Sequence, residues 1–559
     1  MTFYRKCLRC TPSAYNSGKL TVALLLVASV PTANAFEWDT GIPELRTRWD
    51  NTVKYSAAWR TKSPSSSLID GQKNLNLDDG DRSFGRGLIS NRLDLFSELD
   101  LEYQNFGGRL SGAAWYDDVY NRSNDNNSPS TNNNYSAAYN HFTEGAQKLH
   151  GRQAELLDAF VSAQGEIGDI PISGRVGQFA MQWGESLFYG MNGIAGGMAP
   201  TDTIKAQSVP NSLFKEIIRP VQQISTQIQL TPDVTVGAYY QLKWEASRFA
   251  ASGSYFSSVD AYSEQSERLL VGAPLIPGGQ PLALYHGRDV DAKNSGQGGL
   301  QVRWRTDEVD WGIYAIRYND KSPELLTRFD FANLDPASGR EGEYYWVYGE
   351  GIESIGTSFS TTFLGSNVAG ELSSRWHQPL ASTSQRPLLQ GENINNYRDP
   401  LYATGHTLHA NLSWMSSFGP SWVAQEASFT GEVAWNRTLS ITLNPDALDP
   451  NADRDAWQLR TVYEPTYRQV IPGLDISVPV GMSYGRGKSS ALGVGFGVDR
   501  GGDMNIGVKG TYDSVWNLGL NYTHYYGPEG GGLDESGHYS YLQAWKDRDF
   551  VSFSVSRTF

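Results

Sequence analysis

Cysteine is almost missing from this chain of 559 residues: Cys7 and Cys10 are its two, and both precede the first apolar stretch. The remainder of the chain has none and cannot carry a disulfide framework. Long apolar runs are missing as well. The mean hydropathy is −0.43, and beyond the extreme N-terminus no segment approaches the ~18 apolar residues of a membrane-spanning helix. A helical transporter is thereby excluded. Positive charge is the third shortage, with 46 Lys and Arg against 60 Asp and Glu. That balance argues against nucleic acid as a partner, because phosphate contacts need cationic side chains.

Residues 1–35 have the three parts of a secretory signal peptide. Arg5, Lys6, Arg9 and Lys19 form the positive region, residues 20–30 the apolar stretch, and Ala33-Asn34-Ala35 the small-residue cleavage site. Position 36 is Phe where a lipid anchor would need cysteine. The exported part, residues 36–559, would carry 42 basic and 60 acidic side chains, a formal charge of −18.

Aromatic residues and glycine are plentiful, with 30 Tyr, 22 Phe, 16 Trp and 58 Gly, a mixture suited to many short strands joined by polar loops. Several segments of about ten residues alternate strictly, as a barrel wall must when its side chains face lipid and lumen in turn. In residues 93–103 one face carries Leu93, Leu95, Leu99, Leu101 and Tyr103, the other Asp94, Phe96, Glu98, Asp100 and Glu102. In residues 234–244 the outward set is Val234, Val236, Ala238, Tyr240, Leu242 and Trp244. Ile224, Ile228 and Leu230 likewise face away from Gln223, Ser225, Gln227 and Gln229.

A soluble sandwich alternates too, so the connections must decide. Short turns fall near residues 105–108, 166–171, 231–233, 306–310, 363–366, 418–421, 471–474 and 513–515. Longer polar or Gly-rich segments lie between them, near 61–91, 118–152, 184–221, 246–296, 319–351, 378–402, 437–454, 486–502 and 527–537. This unbroken succession predicts an all-β fold, a single antiparallel transmembrane β-barrel over residues 36–559. It would have about 18 strands, short periplasmic turns, long external loops and both termini on the periplasmic side of the bacterial outer membrane.

The last strand supports this independently. Val551, Phe553, Val555 and Phe559 share a face opposite Ser552, Ser554, Ser556 and Thr558, and the aromatic terminus resembles the signal read by barrel-assembly machinery. Phe553, Val555 and Phe559 are the expected assembly signal, with Arg557 the departure from an apolar pattern.

The first two strands present opposed charges to the lumen: Arg46, Arg48, Asp50 and Lys54 on one, Asp94, Glu98, Asp100 and Glu102 on the next. They would form a ladder that stiffens the wall or selects substrate. Arg303, Arg305 and Arg317 would extend a basic lumen stripe. Residues 184–220 mix five glycines with Leu187, Phe188, Tyr189, Met191, Ile194 and Met198, a composition that water solvates poorly. Gly184, Phe188, Tyr189, Met191, Ile194 and Met198 are expected to form a plug or gate in the barrel mouth, with a lipid-facing lid as the alternative. Residues 121–134 (NRSNDNNSPSTNNN) are polar and of low complexity, so a mobile external loop is expected.

Chemistry finds little footing. Residues 74–81 place Asn74, Asn76, Asp78, Asp79 and Asp81 around Gly80, a pattern reminiscent of calcium loops. The distal Glu is missing, so an Asp-Gly turn is favoured and no metal is expected. His409 and Ser413 share a strand face but lie ~13 Å apart, out of hydrogen-bond reach, and His406 points the other way. The other histidines lack metal-ligand spacing. No catalytic residue, cofactor or enzyme activity is expected.

Ten segments and the chain's ending carry a wider resemblance: FEWDTG, RWDNTVKYSAAWR, DDGDR, GLISNRLDL, SGAAWYDDVYN, ELLDAF, WGESLFYGMNGIAGG, SVPNSLFKEIIRP, SGQGGLQVRWR, YAIRYNDKSPE and DRDFVSFSVSRTF. Together they resemble a large Gram-negative family catalogued as domain of unknown function 1302, which includes a sphingosine-induced outer-membrane protein. The resemblance spans nearly the whole exported chain. It implies an outer-membrane barrel and lipid-like cargo. The partners it implies are a second exported protein in the periplasm and an inner-membrane permease that exports hydrophobes. The expected function is passage of a hydrophobic or amphipathic small molecule, of lipid, sphingoid or sterol type, across the outer membrane. A general hydrophilic porin, or a structural barrel docking a periplasmic partner, are the alternatives.

Overall fold

The computed structural model describes Phe36, Glu37 and residues 41–559, apart from residues 72, 211, 213 and 264. The proposed signal peptide, residues 1–35, lies outside the described residues.

Eighteen antiparallel strands close on themselves. In chain order they are β1 (Leu45–Arg60), β2 (Gly87–Tyr103), β3 (Phe106–Asp117), β4 (Arg152–Ile167), β5 (Ile170–Phe179), β6 (Val221–Thr231), β7 (Val234–Gln241), β8 (Gln297–Thr306) and β9 (Val309–Tyr318). They continue with β10 (Ile352–Phe363), β11 (Ser366–Pro379), β12 (Thr404–Phe418), β13 (Glu426–Leu443) and β14 (Asp455–Ile471). The last four are β15 (Leu474–Ser477 and Val480–Arg486), β16 (Gly502–Tyr512), β17 (Trp516–Tyr526) and β18 (Phe550–Thr558). β15 is interrupted at Pro479, which has no N–H to give a ladder. Closure joins β1 to β18, from Thr52 opposite Thr558 to Arg60 opposite Phe550. A closed wall leaves no strand edge unpaired in the membrane, where an unsatisfied backbone group costs several kcal/mol.

The wall alternates as the sequence pattern requires. On β2, Leu93, Leu95 and Leu101 are exposed on the outer face while Asp94, Phe96 and Glu98 are buried on the inner one. Short turns at one end hold both central residues at positive φ, as in Leu364-Gly365 (49° and 77°) and Asp513-Ser514 (48° and 59°), which two-residue hairpins of matching twist need.

The opposite end carries loops L1 (61–86), L2 (118–151), L3 (180–220), L4 (242–296), L5 (319–351), L6 (380–403), L7 (444–454), L8 (487–501) and L9 (527–549). Much of the apolar core is here rather than in the wall. Phe84 of L1, Tyr120 and Phe142 of L2, Ile204 of L3 and Tyr255 of L4 form one cluster. A second cluster joins Trp244, Leu284, Tyr344, Trp346 and Tyr348 beneath a four-stranded sheet made of L4 and L5 segments.

Two expectations are corrected in this region. Trp244 does not continue the lipid-facing row of β7: that strand ends at Gln241, and Trp244 packs edge-on against Tyr348, 4.6 Å between ring centres. Residues 121–134 are not a free loop. Asn126, Thr131, Asn132, Asn133 and Asn134 are buried, and Arg268 donates to the carbonyls of Asn132, Asn133 and Asn134. The segment is ordered by hydrogen bonds rather than by apolar burial, and hydropathy does not register those.

Candidate functional site

L3 leaves β5 and turns into the lumen. Its first limb, residues 184–198, reaches across to β11–β13, where three charged, inward-facing side chains take hold of its backbone. Glu371 of β11 accepts from Glu185 N (2.8 Å) and Ile194 N (3.0 Å). Glu432 of β13 accepts from the consecutive amides of Leu187 (3.1 Å), Phe188 and Tyr189 (3.1 Å), from Ser186 Oγ (2.8 Å) and from Asn411 Nδ2 (2.7 Å). Arg375 Nη2 donates to the carbonyls of Met191, Asn192 and Gly193 at 2.8–3.0 Å. Asn192 itself is held by Asn411, Asn436 and His409. In a site shielded from water, each such bond to a charged group contributes ~1.5–3 kcal/mol.

Two glycines are required by this clamp. A Cβ on Gly193 would lie 1.9 Å from Glu371 Oε1, and one on Gly184 would lie 2.3 Å from Glu371 Oε2. Gly184 also has a φ of +99°, the region that L side chains avoid. The limb's apolar side chains divide. Ile194 and Met198, with Trp183 of the same loop, bury against Tyr239, Tyr314 and Ile316 on the near wall. Leu187, Phe188 and Met191 stay 40%, 38% and 44% exposed, and the Arg460 guanidinium lies 5.7 Å from the Phe188 ring centre. Tyr189 meets Phe496 of L8.

The second limb is held to β2–β4 by side-chain charges instead. Asp202 caps the helical turn Thr203–Ser208 and pairs with Arg248 of L4 (2.7 Å). Arg248 and Lys205 both reach Glu155 of β4 (2.8 and 2.9 Å). Lys215 pairs with Glu98 of β2 and sits 4.5 Å over the Phe96 ring. Below this limb lies a cavity of about 500 Å³ lined by Phe160, Phe179, Phe214, Arg109 and Arg175. Arg109 is paired with Asp100 (2.6 Å). Arg175 lies 4.4 Å from the Phe160 ring centre and 5.0 Å from that of Phe179, and no ion pair engages it among the described residues.

The residues predicted from the sequence take the following places. Arg46, Arg48, Asp50 and Lys54 stand directly opposite Glu102, Asp100, Glu98 and Asp94. The closest ion pairs nevertheless run elsewhere: Arg48 to Asp50 (2.8 Å), Arg109 to Asp100, Arg92 to Asp94 (2.7 Å) and Lys215 to Glu98. Arg303 faces the lumen and reaches Glu185 (3.3 Å), and Arg305 pairs with Asp310 (2.7 Å). Arg317 does not extend this stripe. It shares the outer face of β9 with Ile313 and Ala315, while Tyr314, Ile316 and Tyr318 point inward. Ser413, weighed as a nucleophile, bonds the carbonyls of Glu185 and Ala369, and His409 bonds Asn192 and Thr407. Phe553 and Val555 lie on the outer face of β18, and Phe559 exchanges backbone hydrogen bonds with Asn51 of β1 (2.8 and 2.9 Å).

Glu371, Arg375 and Glu432 do not stand out in the sequence. Their one signal is phase: charged residues at inward positions of strands whose outward positions, such as Leu372 and Leu412, are apolar.

The sequence pattern of a family described as "Protein of unknown function (DUF1302)" matches residues 17–559. Curated proteins offer no match. Among solved structures, OccAB4 of Acinetobacter baumannii is 9% identical over 92% of this chain and 98% of its own, with a TM-score of 0.41. OpdK of Pseudomonas aeruginosa, solved with vanillate, is 9% identical over 92% and 98%, with a TM-score of 0.38. The outer membrane channel DcaP of Acinetobacter baumannii is 8% identical over 94% and 100%, with a TM-score of 0.36.

Proposed function

The chain belongs to the DUF1302 family, and from the geometry of its lumen we propose that it is an outer-membrane channel for hydrophobic or amphipathic small molecules, gated by residues 184–198. The observation that carries this reading is the first limb of L3, which crosses the lumen on polar anchors yet leaves Leu187, Phe188 and Met191 exposed there. A general porin keeps an open polar eyelet, and apolar side chains at its narrowest point would only hinder ions and sugars. The cavity beneath the second limb supports the amphipathic part of the reading. Phe160, Phe179 and Phe214 offer ring surface to an apolar body, and Arg175 offers a cation to an acidic head group. Cargo would move through the lumen when the limb releases Glu371 and Glu432, with a periplasmic protein and an inner-membrane permease as its handlers. Phe553, Val555 and Phe559 would be read by barrel-assembly machinery before closure.

Two measurements test this. Deleting residues 190–200 should raise leak conductance in planar bilayers, and unchanged conductance removes the gate. A strain lacking the protein should take up less labelled long-chain lipid or sterol, and normal uptake across such a panel removes the cargo assignment.

A further inference from the structure

The residues 74–81 that resembled a calcium loop lack a distal carboxylate in their own sequence, but the fold supplies one. Asp260 of L4, far along the chain, is brought against Asp78 and Asp79 of L1, and each of the three offers an oxygen within 4.8 Å of those of the other two. The approach is close enough that a Cβ on Gly80 would meet the Ser257 carbonyl at 2.5 Å and the Ser254 carbonyl at 2.8 Å. Asp78, Asp79 and Asp260 are all buried, at 0%, 1% and 0% exposure.

Charge balance around them does not close. The neighbouring carboxylates Asp81 and Asp547 are matched by two guanidiniums: Arg60 reaches both (2.9 Å each) and Arg548 reaches Asp81 (2.9 Å). The triad has three negative charges and one paired cation, Arg82 on Asp78, which leaves a deficit of two. Its hydrogen bonds do not make up the difference. Asp79 accepts from Asn126 Nδ2 (3.2 Å) and Asn133 N (2.9 Å), and Asp260 Oδ2 accepts from Asp79 N (3.3 Å). Asp260 Oδ1 and Asp78 Oδ1 are buried without a hydrogen-bond partner, and so is the side-chain oxygen of Asn133, the L2 residue whose amide touches Asp79. An uncompensated buried carboxylate costs several kcal/mol, so native proteins pair it or give it a metal.

We propose that Asp78, Asp79 and Asp260 bind one divalent cation, calcium by preference, which ties L1 to L4 under the cover of L2. The donors are all hard oxygens, with no thiol or imidazole in the group, which disfavours zinc. Three buried protein oxygens within 4.8 Å of one another suit an ion that gives up its waters and takes oxygens at roughly 2.3–2.6 Å in flexible geometry, whereas magnesium demands near-ideal octahedral contacts and keeps several waters. The residues that build this site belong to L1, L2 and L4, so it is separate from the gate formed by L3.

The test uses the full-length barrel in detergent, stripped with EDTA and titrated with CaCl2 by calorimetry, with trypsin cleavage of L1 and L4 as the second readout. One calcium per chain is expected, with cleavage slowed at least tenfold when calcium is restored. Asp260→Asn should weaken binding at least tenfold and remove the protection. Asp78→Asn should do the same, which guards against one variant failing to fold. Absence of calcium uptake by the wild type, or uptake that both variants retain, overturns the proposal. So does cleavage indifferent to calcium and EDTA, which would mean that shared protons hold the triad.

Discussion

Residues 121–134 and residues 184–198 are opposites in composition, one nearly all polar and the other rich in glycine and apolar side chains, yet they are secured by the same device. Arg268 caps three consecutive carbonyls in the first, at Asn132, Asn133 and Asn134. Arg375 caps three in the second, at Met191, Asn192 and Gly193. Each segment also gives backbone N–H groups to a buried carboxylate, Asp79 for the polar one and Glu432 for the apolar one. What orders a long loop here is where its backbone polar groups find partners, since those must be satisfied whatever the side chains are. Side-chain hydropathy decides something else, namely which surface the ordered loop presents.

The shared device breaks most sharply at Glu432. Glu432→Ala removes the acceptor of three amides, a serine hydroxyl and an asparagine amide, a loss of several kcal/mol at ~1.5–3 kcal/mol per charged bond. Conductance in planar bilayers should rise at least tenfold while the external loops stay protected. Acid tests the outer segment next. His150 of L2 stacks on Tyr120 and accepts from Ala251 N, and burial, with Arg92 and Arg248 nearby, depresses its pKa to about 3. The unfolded chain takes up that proton first, so the stability from a neutral His150 is full above about 6.5 and is lost as pH falls toward 3. It amounts to a few kcal/mol. Hydrogen exchange of L2, corrected for intrinsic rates, should quicken between those values, and His150→Gln should flatten the change. Arg268→Ala should then speed exchange of residues 126–134 by ~10–100-fold, equivalent to ~1–3 kcal/mol, with conductance unchanged. The smallest effect separates presentation from order: Phe188→Ser should leave thermal stability within ~0.5 kcal/mol but reduce uptake of apolar cargo about twofold to fivefold.

The strands and the succession of long and short connections were legible because a barrel wall imposes a period of two and its two ends differ in loop length. The unusual character of residues 184–198 was legible as composition. Their anchors were not, because Glu371 and Glu432 lie 177–186 and 243–246 residues away from the groups they hold, and no local pattern links such positions. Arg317 was misplaced for a related reason. β9 reads Ile313, Tyr314, Ala315, Ile316, so both faces are apolar and the phase is ambiguous. Its inner face is apolar because Trp183, Ile194 and Met198 cover it, a fact held in another part of the chain. The calcium-like stretch was set aside for a missing carboxylate that the fold brings from L4.

Glu432 has a consequence for how the molecule comes into being. The amides it holds belong to L3, and Glu432 lies more than 240 residues further along the chain. Until β13 takes its place the limb has no latch, and closing so long a loop is entropically uphill before the wall is formed. A half-assembled wall therefore carries a loose limb, and the step that sets β13 beside β12 is the step that fixes the limb across the lumen.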